Sequence, residues 1–370
     1  MNEADVVLVI VIATALAFDF TNGFHDTANV VATSISTRAM SPRLAVLMAS
    51  LLNFAGAFIS REVAATVATG IVDAAQVTSL IVFAGLIGAI AWNLITWYFG
   101  LPSSSSHALI GGVVGAMIAA VGFSAVDGES LVGKVFVPAL VAPVVAFATA
   151  GLAILIAYRI IGRLRPGPVN RGYRLGQVIS GGLLALAHGA NDAQKTMGII
   201  TLALIANGSV DANNFAVPTW VVVSSALAIA FGTYSGGWRI IRTMGSRIIK
   251  MDPAQGFSAQ GAGAAVILAS SHYGYPLSTT HVISGGVMGA GAARRLSAVR
   301  WGVAGNMIGA WLLTVPMAGL IGAFAYGVVH LFGGGALGPI VVSLVAIAVI
   351  AYVFSMRIRR GSALTGEARA

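Results

Sequence analysis

The sequence predicts an all-α polytopic membrane protein of about eleven spans, built as two related halves inverted on one another and containing interrupted or re-entrant helices. Three observations carry this. Of 370 residues, 57% are apolar and 9% charged, with a mean hydropathy of +0.89, whereas about a quarter of the residues in a globular domain are charged. The apolar residues form runs long enough to cross a hydrocarbon core of roughly 30 Å. Two polar motifs embedded in those runs occur once in each half.

Apolar runs bounded by charge, Gly and Pro place helices at 5–36, 43–60, 76–99, 102–121 and 132–161. A second set follows at 175–207, 214–238, 257–273, 276–293, 299–331 and 337–356. The runs 5–36 and 175–207 each hold an Asp near the middle and are expected to be interrupted. The chain divides into a first membrane repeat (1–162), a basic cytoplasmic linker (163–174), a second, inverted repeat (175–331), and a final span with a cytoplasmic tail (332–370). The N-terminus is acidic, with Glu3 and Asp5, and lacks a small-residue cleavage site, so it reads as a retained first span. The absence of cysteine excludes disulfides and thiolate metal sites.

The net charge of +9 resides in short clusters between apolar runs, which signals topology and argues against nucleic-acid binding. With Met1 outside, alternating crossings put Arg38 and Arg43, the 159–174 segment, 239–250, 294–300 and Arg357–Arg360 on the inner side. The C-terminus is then cytoplasmic in a multi-pass cell-membrane protein. Segment 239–250 has amphipathic spacing and is expected along the inner membrane surface.

The strongest repeat pairs PSSSSHALIGGVVGA, from Pro102, with PLSTTHVISGGVMGA, from Pro276, at eight identities in fifteen positions. A weaker pair sets Gly23-Phe24-His25-Asp26 against Gly189-Ala190-Asn191-Asp192. An odd number of crossings per half makes the second copy enter from the opposite side, a plan common in secondary transporters whose sites lie near the midplane.

Each Pro-(Ser/Thr)-His segment opens an apolar helix, where Pro is tolerated and Ser or Thr caps free N–H groups. Two such helix starts facing one cavity offer N–H groups, hydroxyls and positive dipole ends to an oxyanion. The candidate anion ligands are the hydroxyls of these two runs, Ser103, Ser104, Ser105 and Ser106 in the first and Ser278, Thr279 and Thr280 in the second. A carboxylate at membrane depth is costly and marks function. Asp19, Asp26 and Asp192 are the acidic residues inside predicted spans. Asp, Asn and Thr oxygens suit hard cations, and an Asp or a neighbouring His suits a proton. A structural Asp–Lys or Asp–His pair is the competing reading, with Lys195 the obvious partner of Asp192. His25, His107, His188 and His281 fall inside the repeated motifs as proton-handling or supporting groups.

On these motifs, from about Asp19 to Thr314, the chain resembles the inorganic phosphate transporter family, and Asn-Gly-Phe-His-Asp-Thr-Ala-Asn (22–29) is most like its bacterial low-affinity branch. The resemblance implies a homodimeric phosphate symporter in the lipid bilayer with no cofactor. It carries phosphate contacts to Ser104–Ser106, Asn191 and Ser278–Thr280, and coupling-cation contacts to Asp26, Asn29 and Asp192. It leaves H⁺ or Na⁺ as coupling ion, and free phosphate or a divalent metal–phosphate complex near Asp26 and Asp192 as cargo. Some relatives carry sulfate, so a sulfate or other oxyanion permease of the same fold is the alternative. A passive anion channel is a further one, which the buried carboxylates argue against. No His-Glu-x-x-His, P-loop or soluble catalytic domain is present, so the chain is not expected to be an enzyme.

Overall fold

The computed structural model describes residues 2–211 and 215–367, with side chains described to Val353 and at Ser355. The Arg357–Arg360 cluster and the end of the expected tail lie outside the described side chains. Among the described residues every regular element is helical, apart from one isolated bridge between Val72 and Val126.

The first half opens with α1 (Glu3–Ser36), whose start is fixed by a capping box between Asn2 and Asp5. Next come α2 (Pro42–Gly56), the short α3 (Glu62–Thr69), α4 (Ser79–Phe99) and α5 (Ser105–Ala120). A single turn, α6 (Gly128–Leu131), leads into α7 (Val137–Ile161). The second half repeats this order with α8 (Pro166–Ala206), α9 (Thr219–Ser235), the short α10 (Trp238–Arg242), α11 (Pro253–His272), α12 (Thr279–Ala292) and α13 (Trp301–Leu331). α14 (Leu337–Glu367) follows.

The structure corrects the sequence-based map in four places. The helices that carry Asp26 and Asp192 are unbroken; neither has Pro beyond its first turn, so the backbone ladder continues through both motifs. The interruptions fall one element later, at residues 57–61 between α2 and α3, and at a 59° bend between α9 and α10. Residues 166–174, read as linker, form the exposed first turns of α8, because Pro166 and Pro168 are compatible with a helix start. Segment 239–250 does not present its apolar face to lipid. α10 runs on into a π-helical turn (Thr243–Arg247), and Ile240, Ile241 and Met244 are buried where these elements pack on α1.

Four helical stretches are long and apolar enough to cross a membrane, or five with the bent α9–α10 pair counted as one. For four of the other expected spans the reason is identifiable. α8 is 41 residues long, but its middle is rich in Asn, Asp, Gln and Lys. At 15, 16 and 14 residues, α2, α5 and α12 reach only about 21–24 Å at 1.5 Å per residue.

Close contacts reveal helix directions. A Cβ added at Gly23 would lie 2.3 Å from the Ile229 carbonyl oxygen, and one at Gly245 would lie 2.8 Å from that of Ala32, so α9 and α10 run along α1 in its own direction. Likewise Gly56 abuts Leu186 and Gly198 abuts Ala64, so α2 and α3 follow α8. Asp26 lies beside Asp192 and Asp19 faces Thr196, so α1 and α8 are antiparallel. The helical hairpins α4–α5 and α11–α12 therefore start from opposite ends of the molecule. Helix pairings recur with the halves exchanged: α5 packs on α13 as α12 packs on α7, and α4 packs on α13 as α11 packs on α7.

The apolar core is split. One cluster gathers Val7 to Phe18 of α1 with Ala193 to Leu204 of α8; the other gathers Ala28 to Ala32 with Leu184 to Ala187. Between them the same two helices carry the buried polar side chains of Asp19, Asn22, His25, Asp26 and Thr27 and of His188, Asn191 and Asp192, a polar layer sandwiched between two apolar ones.

Candidate functional site

The Asp motifs owe their position to their glycines. A Cβ at Gly189 would lie 2.1 Å from the Asn53 carbonyl oxygen, the counterpart of Gly23 against Ile229. Only a residue without a side chain lets each Asp helix approach the broken helix of the other half so closely. The result is convergence. Carboxylate oxygens of Asp26 and Asp192 and a ring nitrogen of His188 lie within 4.8 Å of one another, and all three residues are buried.

Two buried carboxylates so close repel strongly unless positive charge accompanies them. Lys195 supplies one charge: its Nζ lies 2.5 Å from Asp192 Oδ1, and the side chain is 1% exposed. Nζ also donates to Ser106 Oγ at 2.5 Å and to the Leu277 carbonyl at 2.9 Å. One lysine thus joins the second Asp to both Ser/Thr helix starts. Asp26 is held by its neighbour, with His25 Nδ1 2.7 Å from Oδ1. His188 Nε2 stands 3.3 Å from Asp192 Oδ2, and its Nδ1 lies 3.2 Å from Asn53 Oδ1. Against two carboxylates the cluster sets one fixed cation, which leaves it electrostatically receptive to another.

The two helix starts meet at this cluster. Ser106 Oγ donates to the Leu277 carbonyl at 2.9 Å, and Thr280 Oγ1 lies 3.4 Å from Asp26 Oδ1. Asn29 donates to Thr280 at 2.9 Å and lies 3.4 Å from Thr279 Oγ1. Ser104 and Ser278 act as caps, accepting from the backbone N–H groups of His107 and His281 at 3.1 and 3.3 Å. Ser105 Oγ is buried without a partner among the described residues.

Three sequence candidates lie apart from this centre. Asn191 donates to Ser271 Oγ at 2.9 Å and to the Tyr275 carbonyl at 3.2 Å, and its Oδ1 is unpartnered. A cavity of about 300 Å³ between Ser60, Glu62, Ala190, Ser271 and His272 opens beside it. His107 and His281 pack ring to ring at 4.8 Å, with His281 also against Trp311, so they buttress the helix starts from behind. Thr96, 3.3 Å from His25 Nε2, and Asn53 beside His188 lie outside the sequence candidates, whereas Ser103, equally close to His25 Nε2, belongs to the first Pro-(Ser/Thr)-His segment. Their signal was simple: Thr96 and Asn53 are polar residues inside strongly apolar runs.

Residues 22–322 match the model of the phosphate transporter family. A protein of Mycobacterium tuberculosis, named "Probable low-affinity inorganic phosphate transporter", is 54% identical over 334 residues, which is 90% of this chain and 80% of its own. Proteins of the same name from Rhizobium meliloti (50% identity, 86% of this chain and 95% of theirs) and Bacillus subtilis (44%, 88% and 98%) are also similar. A solved structure described as "The sodium-dependent phosphate transporter" superposes with a TM-score of 0.78 at 25% identity, covering 88% of this chain and 99% of that one. These relatives are transporters, not enzymes. The duplicated Asp and Ser/Thr motifs, the all-helical fold around them and these similarities lead to one conclusion: the chain belongs to the phosphate transporter family.

Proposed function

We propose that the protein is a secondary active symporter that imports inorganic phosphate together with H⁺ or Na⁺ through one site shared by its two halves. The observation that carries this reading is the Lys195 bridge from Asp192 to Ser106 and the Leu277 carbonyl, with Asp26 alongside. The coupling cation is attracted to Asp26 and Asp192, with Asn29 and the Thr280 hydroxyl at its edge. Phosphate docks on the Ser105, Ser106, Thr279 and Thr280 helix starts and on Lys195, where dipole ends and hydroxyls favour an oxyanion. Neutralising the carboxylates lowers the barrier to the anion, which couples the two solutes. A divalent metal–phosphate complex would use the same oxygens. Ser104 and Ser278 serve the site by capping.

Carboxylates beside an anion site favour phosphate over sulfate. Phosphate keeps a proton near neutral pH and can donate it in a hydrogen bond, whereas sulfate meets Asp26 and Asp192 only as a repelling charge.

For topology, the helix directions support an inverted pair of repeats with α4–α5 and α11–α12 entering from opposite faces. Counting each hairpin arm as a crossing, or each hairpin as re-entrant, leaves every basic cluster and the C-terminus on the inner side. Alternating access would then follow from one part rocking against the rest around the fixed site.

Radiolabelled phosphate uptake into proteoliposomes tests the function, with Na⁺ or H⁺ gradients imposed in turn, with and without Mg²⁺, and with excess sulfate. Accumulation should follow one cation gradient and withstand sulfate. Uptake that merely equilibrates, or that sulfate suppresses as well as unlabelled phosphate does, would refute the reading.

A further inference from the structure

One carboxylate in the buried layer has no part in the site just described. Asp19 lies on α1 two turns before Asp26, is 0% exposed, and neither of its oxygens has a hydrogen-bond partner among the described residues. Asn22, one turn on, is equally buried with its amide oxygen and nitrogen both unpartnered; so is the Thr196 hydroxyl of α8. Both side chains face Asp19. Three buried polar groups therefore converge as hydrogen-bonding neighbours, in contacts looser than a formed hydrogen bond, on the end of the polar layer nearest the start of α1. A poorly paired buried polar group is costly and a poorly paired buried charge more so, so neutralising the carboxyl relieves this arrangement.

The charges that bear on Asp19 are Asp192 and Lys195, both from α8. Lys195 is already committed to Asp192 and Ser106. α4 and α9, packed along α1, contain no Asp, Glu, His, Lys or Arg. Among the described side chains, the charged and titratable groups of the other neighbours are Arg43 on α2, His107 on α5, Arg239 and Arg242 on α10, Arg247 in the π-helical turn beyond it, His272 on α11, His281 on α12 and Tyr352 on α14. Lys195, the fixed cation that acts on the carboxyl, is thus shared with Asp192.

A metal cation fits poorly. Hard ions take about six oxygen ligands, and in transporters unwound backbone carbonyls supply several of them. Here both helices are continuous through the cluster, so their carbonyls are engaged in the helix ladder. Side chains alone offer two carboxyl oxygens, one amide oxygen and one hydroxyl. A proton needs no such shell, and a protonated carboxyl can donate to either neighbour while the ionised form can accept from both.

We propose that Asp19 is a second cation-loading group of this transporter, a carboxyl that binds and releases a proton during the transport cycle between Asn22 and Thr196. The proposal rests on the symport reading and adds a coupling site to it. Proton binding forms an O–H bond on one carboxyl oxygen, with the proton drawn from water on one side of the membrane and returned to water on the other.

The test counts protons moved per phosphate in proteoliposomes, with an entrapped pH dye and labelled phosphate, for the wild type, Asp19→Asn and Asp19→Glu. The wild type should move protons with phosphate, Asp19→Asn should move one fewer per phosphate, and Asp19→Glu should keep the wild-type ratio. An unchanged ratio in Asp19→Asn overturns the proposal. So does a wild type that accumulates phosphate but moves no protons, which would leave symport itself intact; failure of all concentrative uptake would strike the symport reading instead. Should Asp19→Asn not fold, Thr196→Val decides. Removing the facing hydroxyl should displace the pH of half-maximal uptake by about half a unit or more, and an undisplaced profile overturns the proposal.

Discussion

At the scale of single residues, Lys195 and the motif glycines hold the polar cluster together. Removing Lys195 leaves Asp192 buried beside Asp26 without its partner, and breaking a buried pair costs about 3–5 kcal/mol. Lys195→Met should therefore lower the melting temperature in detergent sharply, and Asp192→Asn/Lys195→Met should recover part of the loss. A double variant as unstable as the sum of the two singles would show that the residues act independently. Gly189→Ala forces a methyl against the Asn53 carbonyl and should cost about 1–3 kcal/mol in the same assay; an unchanged melt would mean that α2 and α8 are not held at this distance. Sequence made the Asp and Lys residues conspicuous because charge is rare in apolar runs. It could not show that Asn191 turns away toward Ser271, since its neighbours in the chain and in space differ.

At the scale of elements, α5 and α12 are ordinary capped helices carrying an unusual first turn. Ser104 and Ser106 sit two residues apart in the same run of serines, yet one hydroxyl caps the helix and the other meets Lys195. Ser104→Ala should lose about 1 kcal/mol of stability as a cap does, with little change in the KM for phosphate. Ser106→Ala should cost about 1–3 kcal/mol, because Lys195 and the Leu277 carbonyl lose a buried partner, and should also raise that KM about tenfold or more, as loss of a hydrogen bond to charge does. Uptake kinetics and thermal melts on the two variants check both; the opposite pattern in KM would exchange the roles. The repeat of Pro-(Ser/Thr)-His was legible because caps use few residue types. The location of the helix breaks was not: residues 57–61 and 236–237 break beside glycines in segments that composition alone does not distinguish from a span.

At the scale of the molecule, the class of fold was readable from apolar content, and the exchange of partners between halves followed from duplicated glycines that pack on equivalent carbonyls. A Cβ at Gly115 would lie 2.1 Å from the Gly319 carbonyl oxygen, and one at the equivalent Gly289 would lie 2.1 Å from that of Phe147. The span count was less readable because a buried polar layer lowers the apparent hydropathy of α8, and because paired hairpins need only short helices. Topology is still testable: single cysteines at Asp127 and Arg171 should react with membrane-impermeant reagents from opposite sides, and labelling from one side would contradict the inverted arrangement. The central claim is that Asp26 and Asp192, one from each half, form a single cation site serving one phosphate. Labelled phosphate accumulation by Asp26→Asn and Asp192→Asn, measured side by side in proteoliposomes against the wild type, tests it most directly. Both variants should lose cation-driven accumulation, about tenfold or more; full accumulation by either one would contradict the shared site.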